Sequence, residues 1–487
     1  KKKKKKKMSE VERSEANGFY KLSWMQRIGY GLGDMAQNFI FQTIMNYINF
    51  YYTDVYIIHS KESATKWAGA ILTAGSIADV IWDPIVGAIV DKSNPRFGKY
   101  RSWLLYGGIP LTIASILSFW DVAKPSVLYA IVTFTVMKLT YTLVNVPYGA
   151  LNASLTRDTH EITVLTSVRM VCANTAGFLT GAGILILVAL FSHRPIPWVV
   201  VGFKLLGSLP GMIVMNFVPA IKKVVGKKRV FYLALLVAII GYGLIYLVSH
   251  IGIKKYVVLL YIAQFIKACG VCVATGYMWA LVPEVISYAE YKTGRRIAGI
   301  VNALTGIFFK AGMTIGNAFP SIVLSVVNYV QPESTEEGGS DLPTDSTSWF
   351  YTMSIFIIIG FILLVFCFTQ TKERVVMDES ETKNVKVSDL WVEFVRNRPL
   401  RIIALYFITA FAFMFIGNAS ENYLLNNLDS QKAFAKEGIR WSACVFPSLV
   451  ALLAMFIISR YELTDEKIEE INLEIEKRNH KNDGELA

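Results

Sequence analysis

Charge is scarce in this 487-residue sequence: Asp, Glu, Lys and Arg make up 18% of it, where a soluble domain carries about a quarter. With 53% of its residues hydrophobic, the chain has little room for soluble domains. Histidine is rarer still. All five (His59, His160, His193, His250, His480) fall in loops, at the ends of apolar runs or in the C-terminal tail, which argues against a membrane-buried imidazole relay or a His-ligated metal site. No GxxxxGK[ST] loop occurs, so no P-loop ATPase is built in, and uphill solute movement must draw on an ion gradient. The five cysteines all lie in apolar runs, where disulfides are not expected; the CxxC of Cys269 and Cys272 reads as small-residue packing. Met8–Trp24 is polar, so no cleavable signal sequence is expected. The seven lysines before Met8 look like an added run.

Long apolar runs are what the chain has in plenty. Twelve are expected to cross a bilayer as helices, at 28–52, 67–91, 102–122, 126–150, 164–191, 197–221, 229–249, 256–285, 296–329, 349–370, 399–425 and 438–460. With the N-terminus inside, inner loops and tails collect about 36 Lys and Arg and outer loops about 9. Both termini are therefore expected in the cytoplasm, and the net charge of +12 reflects topology, not nucleic-acid binding. The "GYGLGD" of Gly29–Asp34 opens a helix with no preceding strand, so its glycines are read as permitting close helix packing.

Against this background "SIADVIWDPIVGAIVDKSNPRFGKYRSW" stands out. Asp79 and Asp83 are spaced by four, which puts both carboxylates on one helix face. An acid at the centre of a membrane helix costs about 2.5–3.5 kcal/mol, a cost that persists where the face lines a wet cavity or binds a cation. Salt bridges are the structural alternative, and Lys138, Arg169, Lys204, Lys267 and Lys310 are the candidate partners. Asn38, Thr142, Asn145, Asn302 and Thr305 are polar residues that can share the same cavity. A monovalent cation moving inward gains about 2.3 kcal/mol per 100 mV, enough for a gradient of about fiftyfold. Beyond the pair, Asp91, Arg96, Lys99 and Arg101 lie at a tight inner turn and are expected to act in gating, latching two bundles.

"YGLGDMAQNFIFQTIMNYINFYYTDVY", "DVIWDPIVGAIVDKSNPRFGKYRSW", "YTLVNVPYGAL" and "ALVPEVISYAEYKTGRR" resemble the glycoside–pentoside–hexuronide:cation symporters, which include the melibiose carriers, of the major facilitator superfamily. The resemblance implies an all-α membrane protein of two six-helix bundles around a central cavity that opens to alternate sides. It implies a cation site at Asp79, Asp83 and Thr142, and a sugar site with Asn38 and Asn145 where melibiose carriers have aspartates. Arg169 and Lys310 match basic residues lining the sugar pocket, and Thr305 is placed with them. The two amides argue against melibiose itself. Trp82 stands where sodium-using members offer an oxygen, which favours protons over sodium.

Segment order departs from the family. "VPAIKKVVGKKRV" follows the sixth span, "SYAEYKTGRRIAGI" the eighth, and the charged linker "TKERVVMDESETKNVKVSDLWVEFVRNRPL" the tenth. The expected organisation is a tail at 1–27 and helices 1–5 of the first bundle at 28–194. Four helices resembling the family's eighth to eleventh follow at 195–330, then an outer acidic loop at 331–348. Two helices resembling its sixth and seventh occupy 349–427, a last helix 436–461 and a tail 462–487. Junctions would fall near His193–Ile196, Val330–Glu333 and Asp429–Lys432; the alternative is a conventional division near residue 225.

The expected function is proton- or sodium-coupled symport of a sugar or glycoside across the plasma (inner) membrane. No enzyme activity, metal or cofactor is expected beyond the coupling ion, and the partners are the sugar and membrane lipid, with the protein a monomer. Alternatives are a lipid or amphiphile transporter of the same fold, and a non-transporting rearranged scaffold.

Overall fold

The computed structural model describes residues 21–474 apart from 62, 94, 122–125, 157–158, 294–297, 330–343, 374–391, 393, 427 and 430. The expected 1–20 part of the N-terminal tail, most of the acidic loop, the junction at Val330–Glu333 and most of the charged linker lie outside these residues. Every element is helical: α1 (Trp24–Phe50), α2 (Ala64–Lys92), α3 (Arg101–Tyr106), α4 (Gly108–Leu117), α5 (Val127–Leu155), α6 (Thr159–Phe191), α7 (Trp198–Ile213) and α8 (Val218–Val225). There follow α9 (Lys227–Ile251), α10 (Val257–Gly276), α11 (Leu281–Thr293), α12 (Ala298–Val326), α13 (Ser346–Gln370), α14 (Arg398–Asn426), α15 (Ala433–Arg440) and α16 (Phe446–Ser459).

Among the described residues nine helical stretches are long and apolar enough to cross a membrane, the pairs α10–α11 and α15–α16 each counting as one. The expected spans at α1, α3–α4 and α7 are helical without meeting those limits; α7 is a shorter apolar helix. In α1 the reason is its polar content. Asp34, Gln37, Thr43 and Asn49 are all buried against neighbouring helices, so the hydropathy of this helix reflects protein contacts and not lipid.

Two expected spans are interrupted. A 3-10 turn at Val214–Phe217 precedes Pro219, and another at Tyr277–Ala280 precedes Pro283. A proline ring clashes with the carbonyl four residues earlier and removes a helix hydrogen bond. The carbonyls concerned, of Met215 and Trp279, fall inside the two turns.

Packing sorts the helices into two groups. The first holds α1 to α6 together with α13, which packs along α1 and also meets α4 and α6. The second holds α7, α9, α10, α12, α14 and α16, with α12–α14 and α9–α10 its most intimate pairs. The groups meet chiefly where α2 packs on α12 and α6 on α7. Close approach within the first group rests on glycine. A Cβ at Gly33 would sit 2.5 Å from Cys367 Sγ of α13, and one at Gly29 would sit 2.4 Å from Gln370 Cβ. Gly29 and Gly33 of "GYGLGD" thus seat α13 on α1, while Gly31 faces Val168 and Cys172 of α6.

At the end of the molecule carrying Tyr56, hydroxyls and amides seal α1 to the second group. Ser321 Oγ donates to Asn49 Oδ1 at 2.8 Å and Tyr329 OH to Asp54 Oδ1 at 2.8 Å. Thr53 Oγ1 lies 2.9 Å from Tyr423 OH, and Asn422 Nδ2 donates to the carbonyl of Asn46 at 3.0 Å.

Candidate functional site

Helical spacing places Asp79 and Asp83 on one face of α2, and packing turns that face toward α5 and α12. Thr142 Oγ1 of α5 donates to Asp79 Oδ1 at 2.5 Å. Lys310 of α12 reaches across from the second helix group, donating from Nζ to Asp83 Oδ1 at 2.5 Å, to Asp79 Oδ1 at 3.1 Å and to Thr142 Oγ1 at 3.0 Å. Asp79 is 2% exposed and Lys310 6%, so one ammonium is held by three oxygens away from water. The ammonium is shared between two carboxylate oxygens of α2 and one hydroxyl of α5. Removing one partner from such a buried set leaves uncompensated charge, which is why breaking it is far more damaging than its net stabilisation suggests.

Lys138, one turn before Thr142 on α5, is also buried. It lies over the Phe134 ring, within electrostatic reach of Asp79, Asp83 and Lys310. Trp82 commits its indole N–H to the Leu139 carbonyl at 3.2 Å and has no oxygen to offer a cation.

The residues matched to the sugar site divide. Arg169 Nε bonds Asp34 Oδ2 at 3.1 Å, and Asn38 Nδ2 bonds the Asp34 carbonyl at 2.9 Å. Arg169 and Asn38 therefore converge on one residue of α1, with Gln42 Nε2 donating to Asn38 Oδ1 at 3.3 Å. Asn145 lies three residues beyond Thr142 on α5 and is partly buried. Thr305 is buried and donates to its own helix at the Val301 carbonyl. Lys310, matched to the sugar pocket, is placed between the two carboxylates. The side chain of Asn302 lies outside the described ones.

At the turn after α2, Arg96 is exposed and the side chain of Asp91 lies outside the described ones. The backbone N–H groups of Lys99, Tyr100 and Arg101 all donate to the Glu373 carboxylate, at 2.9, 2.8 and 2.7 Å. Arg101 Nε donates to the Phe368 carbonyl at 2.6 Å. Lys99 and Arg101 thus hold the end of α13, a helix of their own group, so the contacts seen at this turn fasten one group internally and do not latch the two bundles as expected.

Three acids that the sequence reading did not single out turn out to be paired. Asp34 receives Arg169, Glu161 receives Arg27 at 2.7 Å, and Glu421 of α14 receives Lys204 of α7 at 3.0 Å and Lys267 of α10. The signal was present: Lys204 and Lys267 sit in apolar runs and need an acid, and Glu421 lies in another such run. Among the described residues the five cysteines are free, and no group of three or more His, Cys, Asp or Glu is placed to hold a metal ion.

Helices in two groups, joined by buried charges at the plane where they meet, define a membrane transporter. The chain belongs to the MFS/sugar transport protein family, which it matches over residues 29–203, 200–344 and 336–428. It is a multi-pass protein of the cell membrane and not an enzyme. It is 31% identical over 402 residues to the uncharacterized symporter YnaJ of Bacillus subtilis (strain 168), covering 64% of this chain and 84% of that one. It is 27% identical over 397 residues to the glucuronide carrier protein homolog of Escherichia coli (strain K12), covering 63% and 85%. To the glycoside/cation symporter YagG of the same strain, named as putative, it is 23% identical over 438 residues, covering 73% and 94%.

Proposed function

We propose that the protein is a cation-coupled symporter of a sugar or glycoside, acting as a monomer by alternating access. The observation that carries this is the position of Lys310. Its ammonium belongs to one helix group and its three oxygen partners to the other, so any cation that takes those oxygens also changes how the groups are held together. A cation arriving at Asp79 and Asp83 competes with Lys310 for the same atoms and releases the lysine toward the space between the groups. Charge compensation at this point couples cation entry to rearrangement of the interface.

A proton fits better than sodium. Lys310 and the nearby Lys138 already set two positive charges against two carboxylates, and Trp82 adds no oxygen ligand. The carboxylates are thus already balanced, so a sodium ion would add a charge with no further oxygen ligand to hold it, whereas a proton passes directly to one carboxylate. The sugar hydroxyls would be taken by Asn38, Gln42, Asn145 and Arg169, with Thr305 nearby. The names of the relatives, a glucuronide carrier homolog and a glycoside/cation symporter, agree with a sugar as cargo.

A rearranged segment order is part of the same proposal. The packing of α13 with α1 and of α14 with α12 supports residues 349–427 standing for the family's sixth and seventh helices.

Uptake of a radiolabelled methyl glycoside into proteoliposomes tests the coupling. Accumulation is expected with an imposed inward pH gradient and lost in Asp79→Asn. Uptake indifferent to pH and sodium gradients, and to Asp79→Asn and Asp83→Asn, would rule coupling out.

A further inference from the structure

The buried charges of the site above balance; those around Glu421 do not. Lys204 of α7 and Lys267 of α10 both bond the single carboxylate of Glu421, Lys204 at 3.0 Å. Lys267 is 3% exposed and Glu421 4%. Lys267 also lies over the rings of Phe203 and Tyr242, which soften its charge without cancelling it. Asp54, a buried carboxylate on the turn that ends α1, is engaged by the hydroxyls of Thr53 and Tyr329. Two ammonium groups on one carboxylate leave a net positive charge in a medium where an uncompensated ion is expensive.

Position makes this excess available to a cargo. Lys204 sits on the face of α7 that packs on α6: a Cβ at Gly181 would lie 3.7 Å from Lys204 Cβ and 3.6 Å from Ser208 Oγ. One turn away on α6, a Cβ at Gly177 would lie 3.0 Å from Gln42 Nε2, the side chain bonded to Asn38. A ligand spanning one helical turn of α6 therefore reaches both places. A second observation points the same way. Gln264, one turn from Lys267 on α10 and 2% exposed, has a buried Oε1 with no hydrogen-bond partner, and its amide nitrogen faces Gly207 of α7. That oxygen is an acceptor waiting for a donor such as a sugar hydroxyl.

We propose that Lys204, Lys267 and Glu421 form a subsite for a carboxylate on the transported sugar, so that the preferred cargo is an acidic sugar. Lys204 supplies the ammonium to the cargo while Lys267 keeps Glu421 paired. The inference rests on the transport function proposed above and adds the charge of its substrate.

The test uses the purified full chain. Binding of methyl β-D-glucuronide and of methyl β-D-glucoside is measured by isothermal titration, and gradient-driven uptake of both in proteoliposomes. The uronide is expected to bind at least tenfold more tightly, the scale of one charge-assisted contact. In Lys204→Met the ratio should fall to about one, with Lys267 still pairing Glu421 so that no acid is stranded. Lys204→Gln, which keeps a donor for Glu421, should behave alike and separates loss of charge from loss of fold. Equal binding of the two sugars by the native protein, or a ratio unchanged in both variants, overturns the subsite while uptake still upholds transport. Binding and uptake of neither sugar overturns both.

Discussion

Lys310 and Asp83 stand 227 residues apart in sequence and 2.5 Å apart in space. The bond joins α12 to α2 and so ties one helix group to the other at a buried point. The proposed function makes these oxygens a cation site held by the lysine, so removal of the lysine should be answered by a cation.

Lys310→Ala is expected to leave the two buried carboxylates with Lys138 as the one positive charge in reach and to destabilise the protein by about 3–5 kcal/mol in sodium-free buffer. Sodium chloride, compared with choline chloride, should restore much of that stability in the variant and little in the native chain. Thermal unfolding in detergent with the two salts measures it. An identical response of both proteins would show that the cage does not accept a cation.

Glu373 gathers three backbone N–H groups at the start of α3. Hydrogen bonds to a charged acceptor are worth about 1.5–3 kcal/mol each at most, and the site is only partly buried. Glu373→Ala should therefore lower stability by about 2 kcal/mol, with Glu373→Gln intermediate. Gly98, at φ +117° with Glu373 Oε1 2.7 Å from where a Cβ would stand, should tolerate alanine poorly for steric reasons. Denaturation monitored by tryptophan fluorescence checks all three.

Beyond the last membrane helix, Asp465 bonds Lys222 at 2.8 Å and Lys227 at 3.0 Å. Partial burial pushes its carboxyl up, but the hydrogen bonds and charges of Lys222 and Lys227 outweigh that and hold it below the usual carboxylate value. A depressed acid contributes stability above its unfolded pKa of about 3.9 and loses it as pH falls through the folded value. Asp465 is half exposed, so the effect is small and screened by salt. A spin label at position 469 should gain mobility on acidification below about pH 4 in the native chain, and should already be more mobile at pH 7 in Asp465→Asn.

Tyr329→Phe removes one hydroxyl from the sealed Tyr56 end. Loss of a bond worth about 1 kcal/mol shifts an opening equilibrium about fivefold. Labelling of Ser321→Cys by a water-soluble thiol reagent should accelerate by that order over the same variant with Tyr329 intact. No acceleration would place the seal elsewhere.

Much of this was legible in the sequence because lipid is a strict solvent. Apolar runs long enough to cross it announce helices, and Asp79 and Asp83 stand out because so few charges are tolerated there. The contact of Thr142 with Asp79 followed from the family resemblance, not from spacing. What sequence could not give was pairing. Lys204, Lys267 and Lys310 look alike as lysines in apolar runs, yet two serve Glu421 and one serves Asp79 and Asp83, because partner choice depends on which helix faces meet. Glu421 lies within the apolar run at 399–425, and its pairing with two lysines from other helices appears only when those helices pack together. The interruptions before Pro219 and Pro283 were readable from the prolines and were missed in favour of unbroken hydropathy.

The connection from α6 to α7 restrains whatever motion the molecule makes. Phe191 ends a helix of one group and Trp198 begins a helix of the other. The six residues between them reach roughly 25 Å at full stretch, and backbone bonds from His193, Arg194 and Trp198 fold them shorter. That corner is a short leash. Any swing that parts α6 from α7 at this end is limited to what those six residues allow.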